Sequence, residues 1–233
     1  MKWPSLCIGV CFALLAYAHY VGLFEAPSER YMQNVGRILY VHVPTAWISL
    51  LCFLVAFIAA IGSLWTGRYG WDALVAASSE VGVVLTALLL FQGAVWAKPT
   101  WGTWWAWDPR LTSSAMMFVM FGVVLLLRSL ISDPARRLTL SAVAAILAFV
   151  DVPIVYFSVK WWNSLHQEWS SPETVSQTMH LPLRMAAFGV LFISIGLIAI
   201  RVKTIRSQLD SEVEEPDLPP QAPPLELDAG VGS

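Results

Sequence analysis

Long apolar runs separated by short polar connections set the layout of the chain. Six of them come close to the ~20 residues that a helix needs to cross a hydrocarbon core. They cover about Ser5 to Phe24, Pro44 to Trp65, Asp72 to Val95, Leu111 to Ile131, Leu138 to Val159 and Leu183 to Ile200. The first carries Ala16-Tyr17-Ala18, a tripeptide of the kind a signal peptidase cuts, but its apolar character continues to Phe24, so it is read as a retained helix. Pro44 suits the start of the second run, where a missing N–H costs nothing, and this puts His42 just ahead of that helix. Pro153, close to Asp151, predicts a kink in the fifth.

Composition fixes the class. Apolar side chains make up 57% of the 233 residues and charged ones 13%, which excludes an ordinary soluble domain and gives an integral membrane protein. The formal charge of −2 is not a partner signal, because seven acids and no base follow Arg206. That Pro-, Asp- and Glu-rich segment cannot bury enough apolar surface to offset its ordering. The expected fold is all-α: a membrane domain over residues 1–206 with six transmembrane helices, then a disordered acidic tail over 207–233. Six spans put both termini on one side. With the termini cytoplasmic, the inner segments hold eight Lys and Arg against six outside, and the inner ones sit in short loops beside the spans.

Cys7, Cys11 and Cys52 lie inside apolar runs, where cysteine behaves as a small hydrophobe. Without C-x-x-C-H or C-x-x-C, the chain is neither a c-type cytochrome nor an evident thiol oxidoreductase. No phosphate loop, Ser/His/Asp set or zinc spacing points to other catalysis. Glu80 and Asp151 fall within spans, where an acid is either functional or a protonated, hydrogen-bonded carboxyl facing the bundle.

The strongest local signal is the segment Trp96 to Thr112, read as a loop, in which five tryptophans crowd into twelve residues ahead of Asp108, Pro109 and Arg110. Indoles suit a water–lipid boundary or a flat apolar ligand, so an aromatic belt and a ligand platform both remain open. The six-span topology brings this loop to the same outer face as His42 and His166, the latter within a second aromatic loop with Trp161, Trp162 and Trp169. Two neutral imidazoles on opposite faces of a haem give a six-coordinate iron, and Arg37, Lys98, Arg110 and Arg184 are cations available for its propionates. Four histidines allow six pairs, and spacing alone does not choose between them. His180 is the main competitor, while His19 lies near the outer end of the first span.

The run WGTWWAWDPRLTS resembles the tryptophan-rich WWD signature of membrane haem-handling proteins. RILYVHVPTAW and VDVPIVYFSVKWWNSLHQ are similar to the flanking motifs of one branch, the CcmC family of haem exporter and delivery proteins in bacterial cytochrome c maturation. The resemblance spans about Arg30 to Arg184, and chain length with six spans separates it from the larger relatives CcmF and CcsA. It implies a multi-pass protein of the bacterial inner membrane that binds haem b at the periplasmic face. By motif, His42 and His166 would be the axial ligands, with Trp101, Gly102, Trp105, Trp107, Asp108 and Arg110 contacting the haem and Arg37 also matching the family pattern. It further implies delivery to the haem chaperone CcmE, a complex with the ABC subunits CcmA and CcmB and with CcmD, contact with membrane lipid, and no nucleic acid. Such a protein acts by positioning its cargo rather than by acid–base catalysis. The rival reading is a b-type electron-transfer protein that keeps its haem permanently.

Overall fold

The structure, a computed structural model, describes residues 3–26, 32–166 and 177–214. Its elements are all helical: α1 (Trp3–Tyr20), α2 (Leu39–Thr66), α3 (Tyr69–Trp101), α4 (Pro109–Leu130), α5 (Pro134–Phe149), α6 (Asp151–Trp161) and α7 (Gln177–Glu214). A π-helical turn, Val21–Glu25, prolongs α1, and a 3-10 turn, Asn34–Ile38, leads into α2. Five segments are long and apolar enough to cross a membrane: Asn34–Thr66, Tyr69–Trp101, Pro109–Leu130, Pro134–Trp161 and Gln177–Leu209. Against the expected six, the first stretch contributes a shorter apolar helix, Gly9–Glu25.

Small residues let the helices approach closely where lipid offers no hydrophobic drive between them. Ala56, Ala59 and Ala60 of α2 and Ala142, Ala145 and Ala148 of α5 share a core with Val75, Met117, Phe121 and Val124. Within it Phe53 stacks on Phe121 at 3.8 Å, and Phe57 stacks on Phe149 at 4.2 Å. Several hydroxyls inside the spans bond back to their own helix, as Thr86 does to the Gly82 carbonyl and Ser194 to that of Val190. Gly67 and Gly102 end α2 and α3 at φ +63° and +76°, a left-handed conformation that a side chain would strain.

Several boundaries differ from expectation for identifiable reasons. Pro44 lies inside α2, which begins at Leu39, so His42 stands in the helix's first turn rather than ahead of it. Proline is tolerated so near the start because it removes only the bond to the Tyr40 carbonyl. α3 continues past Val95 to Trp101, so Trp96 and Trp101 are helical and the true loop is Gly102 to Asp108. Thr100 donates to the Trp96 carbonyl in this last turn, where Pro99 removes one backbone donor. The kink predicted near Pro153 is a break between α5 and α6 at Val150, next to the Phe149 carbonyl that the proline cannot satisfy.

α7 runs beyond Arg206 to Glu214. Ile205 and Leu209 are buried there against Ala73, Ala76 and Ala77 of α3, so the segment read as tail begins as helix. Residues 215–233 lie outside the described residues, as does Trp169.

The order of the helices gathers the starts of α2, α4 and α7 and the ends of α1, α3 and α6 at one end of the bundle. The short α2–α3 and α4–α5 connections lie at the other.

Candidate functional site

At the end where α2 begins, a cavity of about 370 Å³ opens between α2, α3, α4 and α6. Its volume falls in the ~300–1,000 Å³ range of ligand pockets. Leu50, Leu89, Leu111, Met117 and Val155 make most of the wall apolar. Polar character comes from His42, Arg110 and His166, and the indoles of Trp47, Trp96 and Trp105 complete the lining. Two imidazoles far apart in sequence therefore open on one space.

His42 projects from the first turn of α2. Its Nδ1 is buried and has no hydrogen-bond partner among the described residues. α3 passes it at Gly93, where a Cβ would stand 3.4 Å from the His42 Cε1. Any side chain larger than a methyl would occupy the space in front of the ring.

His166 comes from the loop after α6, and Asp108 holds it. The Asp108 carboxyl is buried at the N-terminus of α4, where Oδ1 accepts from the backbone N–H of Arg110 at 2.9 Å and of Leu111 at 3.4 Å. Pro109 at the next position needs no partner for its nitrogen, so this is an ordinary helix cap. The same carboxylate binds the distant loop: Oδ2 accepts from Ser164 Oγ at 2.8 Å and from the Leu165 N–H at 2.6 Å. Oδ1 lies 3.2 Å from His166 Nδ1. Burial by itself would raise the Asp108 pKa, but the Ser164 hydroxyl, the Leu165 N–H, His166 and the Arg110 N–H together hold it below the ordinary carboxylate range. Burial, aided by the Arg110 charge, lowers the His166 pKa, while Asp108 pulls the other way. The imidazole is thus neutral at neutral pH. An anionic acceptor at Nδ1 assigns the ring proton to that nitrogen and leaves Nε2 with a free lone pair, the form in which histidine binds a metal.

Around the two rings the tryptophans divide into two groups. Trp101 meets His166 edge-on at 5.2 Å and Trp96 lies 6.4 Å from it, both on the last turns of α3. Trp105 packs edge-to-face on Trp107 at 6.0 Å, and Trp107 is 84% exposed. Trp104, Trp161 and Trp162 are also exposed, so inner indoles line the site while outer ones face out of the protein.

Several sequence-derived site residues also hold local structure. Gly102 caps α3, with its N–H on the Lys98 carbonyl and its own carbonyl accepting from Lys98 Nζ. Arg37 does not line the cavity; its Nη1 donates to the Leu23 carbonyl at 2.6 Å and ties the end of α1 to the start of α2. Arg110 does line it, with Nη2 on the Tyr156 carbonyl at 3.3 Å and a buried Nε without a partner among the described residues. His19 and His180 are not part of the lining. Nor are the two intramembrane acids: Glu80 pairs with Arg201 through contacts of 2.5 and 3.0 Å, and Asp151 is buried in the bundle.

Sequence reasoning missed Ser164, the Leu165 N–H and Gly93. The first two join a carboxylate more than fifty residues away, and no local pattern signals such a pairing.

Long apolar helices with a histidine-bearing cavity at one end define the class, a multi-pass helical membrane protein with an apolar cavity at the end of its bundle. Within that class, residues 1–215 match the CcmC family, described as Heme exporter protein C, and the chain belongs to it. The match ends one residue after α7. The chain is 33% identical over 200 residues to Heme exporter protein C of Bradyrhizobium diazoefficiens, covering 82% of this chain and 76% of the relative. Against Heme exporter protein C of Haemophilus influenzae it is 36% identical over 207 residues, covering 87% and 84%. It is also 33% identical over 190 residues to a ccmC-like mitochondrial protein of cytochrome c biosynthesis from Marchantia polymorpha, covering 80% and 79%.

Proposed function

We propose that this chain holds haem between His42 and His166 at one face of the membrane and hands it to a haem chaperone for the assembly of c-type cytochromes. The family and its relatives support haem handling in cytochrome c biogenesis. The observation that carries the site is two imidazoles from distant parts of the chain on one apolar cavity, one with a buried unpartnered nitrogen and the other tied through Nδ1 to Asp108. Those residues fit haem as cargo: nitrogen donors for the iron, indoles and aliphatic side chains for the ring faces, and Arg110 for a propionate.

In this reading Asp108 does not touch the haem. Its oxygens are engaged by the α4 cap and by Ser164, Leu165 and His166, so it acts by holding the second ligand in place and in the right tautomer. Gly102 shapes the loop, Arg37 braces the start of α2, Trp101 steadies His166, and Trp105 and Trp107 lead from the cavity to the exposed surface. The protein contributes position and a dry apolar wall, while a docked CcmE supplies the histidine that becomes linked to haem b. The site faces the periplasm across the bacterial inner membrane, both termini are cytoplasmic, α1 is the sixth span, and the assembly includes CcmA, CcmB and CcmD.

The test is the haem absorption spectrum of the purified protein and of the His42→Ala and His166→Ala variants, each with and without co-expressed apo-CcmE. Loss of the six-coordinate spectrum together with loss of haem on CcmE is the expected result. Haem retained by both variants moves the ligands elsewhere, and haem bound by the native protein but never passed on makes it a resident electron-transfer group.

A further inference from the structure

The end of the bundle opposite the histidines carries a second cavity, of about 570 Å³, that the haem reading leaves unused. Arg68, in the turn between α2 and α3, and Arg206, on the last turns of α7, both line it. Both are exposed, and neither makes a side-chain hydrogen bond or ion pair among the described residues. Asp72, in the first turn of α3, is engaged in a two-point pair with Arg128. Two guanidiniums, one from the α2–α3 turn and one from α7, therefore line one recess without a side-chain partner among the described residues, an arrangement that suits a shared phosphate.

The remaining lining is not that of a site for a free anion. Leu74 and Leu209 supply apolar wall, with Leu209 nearly fully buried, and Tyr69 and Trp71 supply the amphipathic rings that sit at headgroup level. Trp65, one turn before the cavity, is 87% exposed on the same helix end. Phosphate-binding cations above an apolar floor, at the ends of membrane-spanning helices, match a phospholipid rather than a soluble phosphate.

We infer that this recess is a binding site for the phosphate headgroup of an anionic membrane lipid, held jointly by Arg68 and Arg206. A lipid bound there bridges the α2–α3 turn and the C-terminal part of α7, just where Ile205 and Leu209 pack on α3. It thereby fastens the C-terminal end of the α7 span to α3.

The full-length protein is reconstituted in phosphatidylcholine bilayers containing phosphatidylglycerol, extracted in mild detergent, and its retained lipids are counted by native mass spectrometry. One retained phosphatidylglycerol is expected, falling at least tenfold in Arg68→Gln/Arg206→Gln and persisting in Lys203→Gln. If the double variant does not fold, the single variants Arg68→Gln and Arg206→Gln are read in its place, each with a partial loss. Equal retention in the charge variants, or equal retention of phosphatidylcholine, overturns the site. Displacement of the lipid by millimolar inorganic phosphate assigns the arginines to a free anion and overturns the lipid. Retention that appears only after truncation behind Glu214 makes the acidic tail the occupant and overturns it equally.

Discussion

The two ends of this bundle place their charged and imidazole groups in different settings. Away from the histidines, charge is matched inside the protein: Asp72 takes Arg128 in a two-point pair, and Glu80 takes Arg201. At the histidine end one acid is satisfied many times over, while nitrogen donors around it are left without partners. Asp108 accepts from two helices' worth of chain, yet His42 Nδ1, Arg110 Nε, Arg37 Nε and Trp96 Nε1 are buried and unpartnered among the described residues. Buried polar groups are nearly always hydrogen-bonded, and His42, Trp96 and Arg110 border the cavity; Ser63, Ser78, Ser79, Ser141 and Asp151 elsewhere in the bundle also bury an oxygen without a partner among the described residues. The paired end holds helices together; the histidine end carries the candidate site.

Removing one partner of the buried pair tests the first half of that contrast and carries the largest expected effect. Arg128→Ala strands the Asp72 carboxylate, 1% exposed, and is expected to destabilise the protein by about 3–5 kcal/mol in reversible unfolding in mixed micelles. His42→Ala removes a ring that already borders empty space and takes an unsatisfied nitrogen with it, so stability is expected to change by no more than about 1 kcal/mol while haem binding is lost. A His42→Ala loss as large as that of Arg128→Ala would make His42 a structural residue and end the comparison.

Asp108→Asn falls between the two, because Asp108 serves both fold and site. An amide still caps α4, but it replaces one acceptor oxygen and the charge that Ser164, Leu165 and His166 share. The expected cost is about 2–3 kcal/mol. The reading separates from a purely structural one in the ligand: nitrogen-15 spectra of labelled histidine in the haem-free protein are expected to show His166 losing its single tautomer. An unchanged tautomer would leave Asp108 with the cap alone. Glu80→Gln comes next. Its pair is partly exposed on the side of the span, at 32% and 44%, and an amide can still accept from Arg201, so the loss is expected to be smaller than that of Arg128→Ala with haem transfer to CcmE unaltered. Lost transfer would give that acid a role in moving haem.

How legible this was in the sequence depends on the range of the interaction. Apolar runs, Pro153, the tryptophan cluster and the flanking motifs are local, and they led to a multi-pass helical protein of the CcmC family that the structure and the relatives support. Boundaries set by packing were not local. α7 continues past Arg206 because Leu209 finds Ala73 and Ala76, and α3 carries Trp96 and Trp101 because one proline near a C-terminus removes a single donor. The site divides the same way. Both histidines could be named from motifs, but the role of Asp108 depends on a contact across 56 residues with Ser164, and that of Arg37 on a carbonyl at Leu23.

Gly93 gives the smallest expected effect and the finest test, because it belongs to the unpaired end without bearing any chemistry. Alanine there adds one methyl 3.4 Å from His42 Cε1, an ordinary contact that leaves the backbone of α3 undisturbed. Stability is expected to stay within about 1 kcal/mol, with a slight gain from helix propensity. Binding is expected to respond differently, since the methyl narrows the space in which the imidazole turns to meet its ligand and occupies part of the cavity wall. A few-fold fall in haem occupancy with an unshifted unfolding midpoint would locate the effect at His42. A midpoint that moves while occupancy does not would mean that the close approach of α3 serves packing, and that the ring has its freedom from elsewhere.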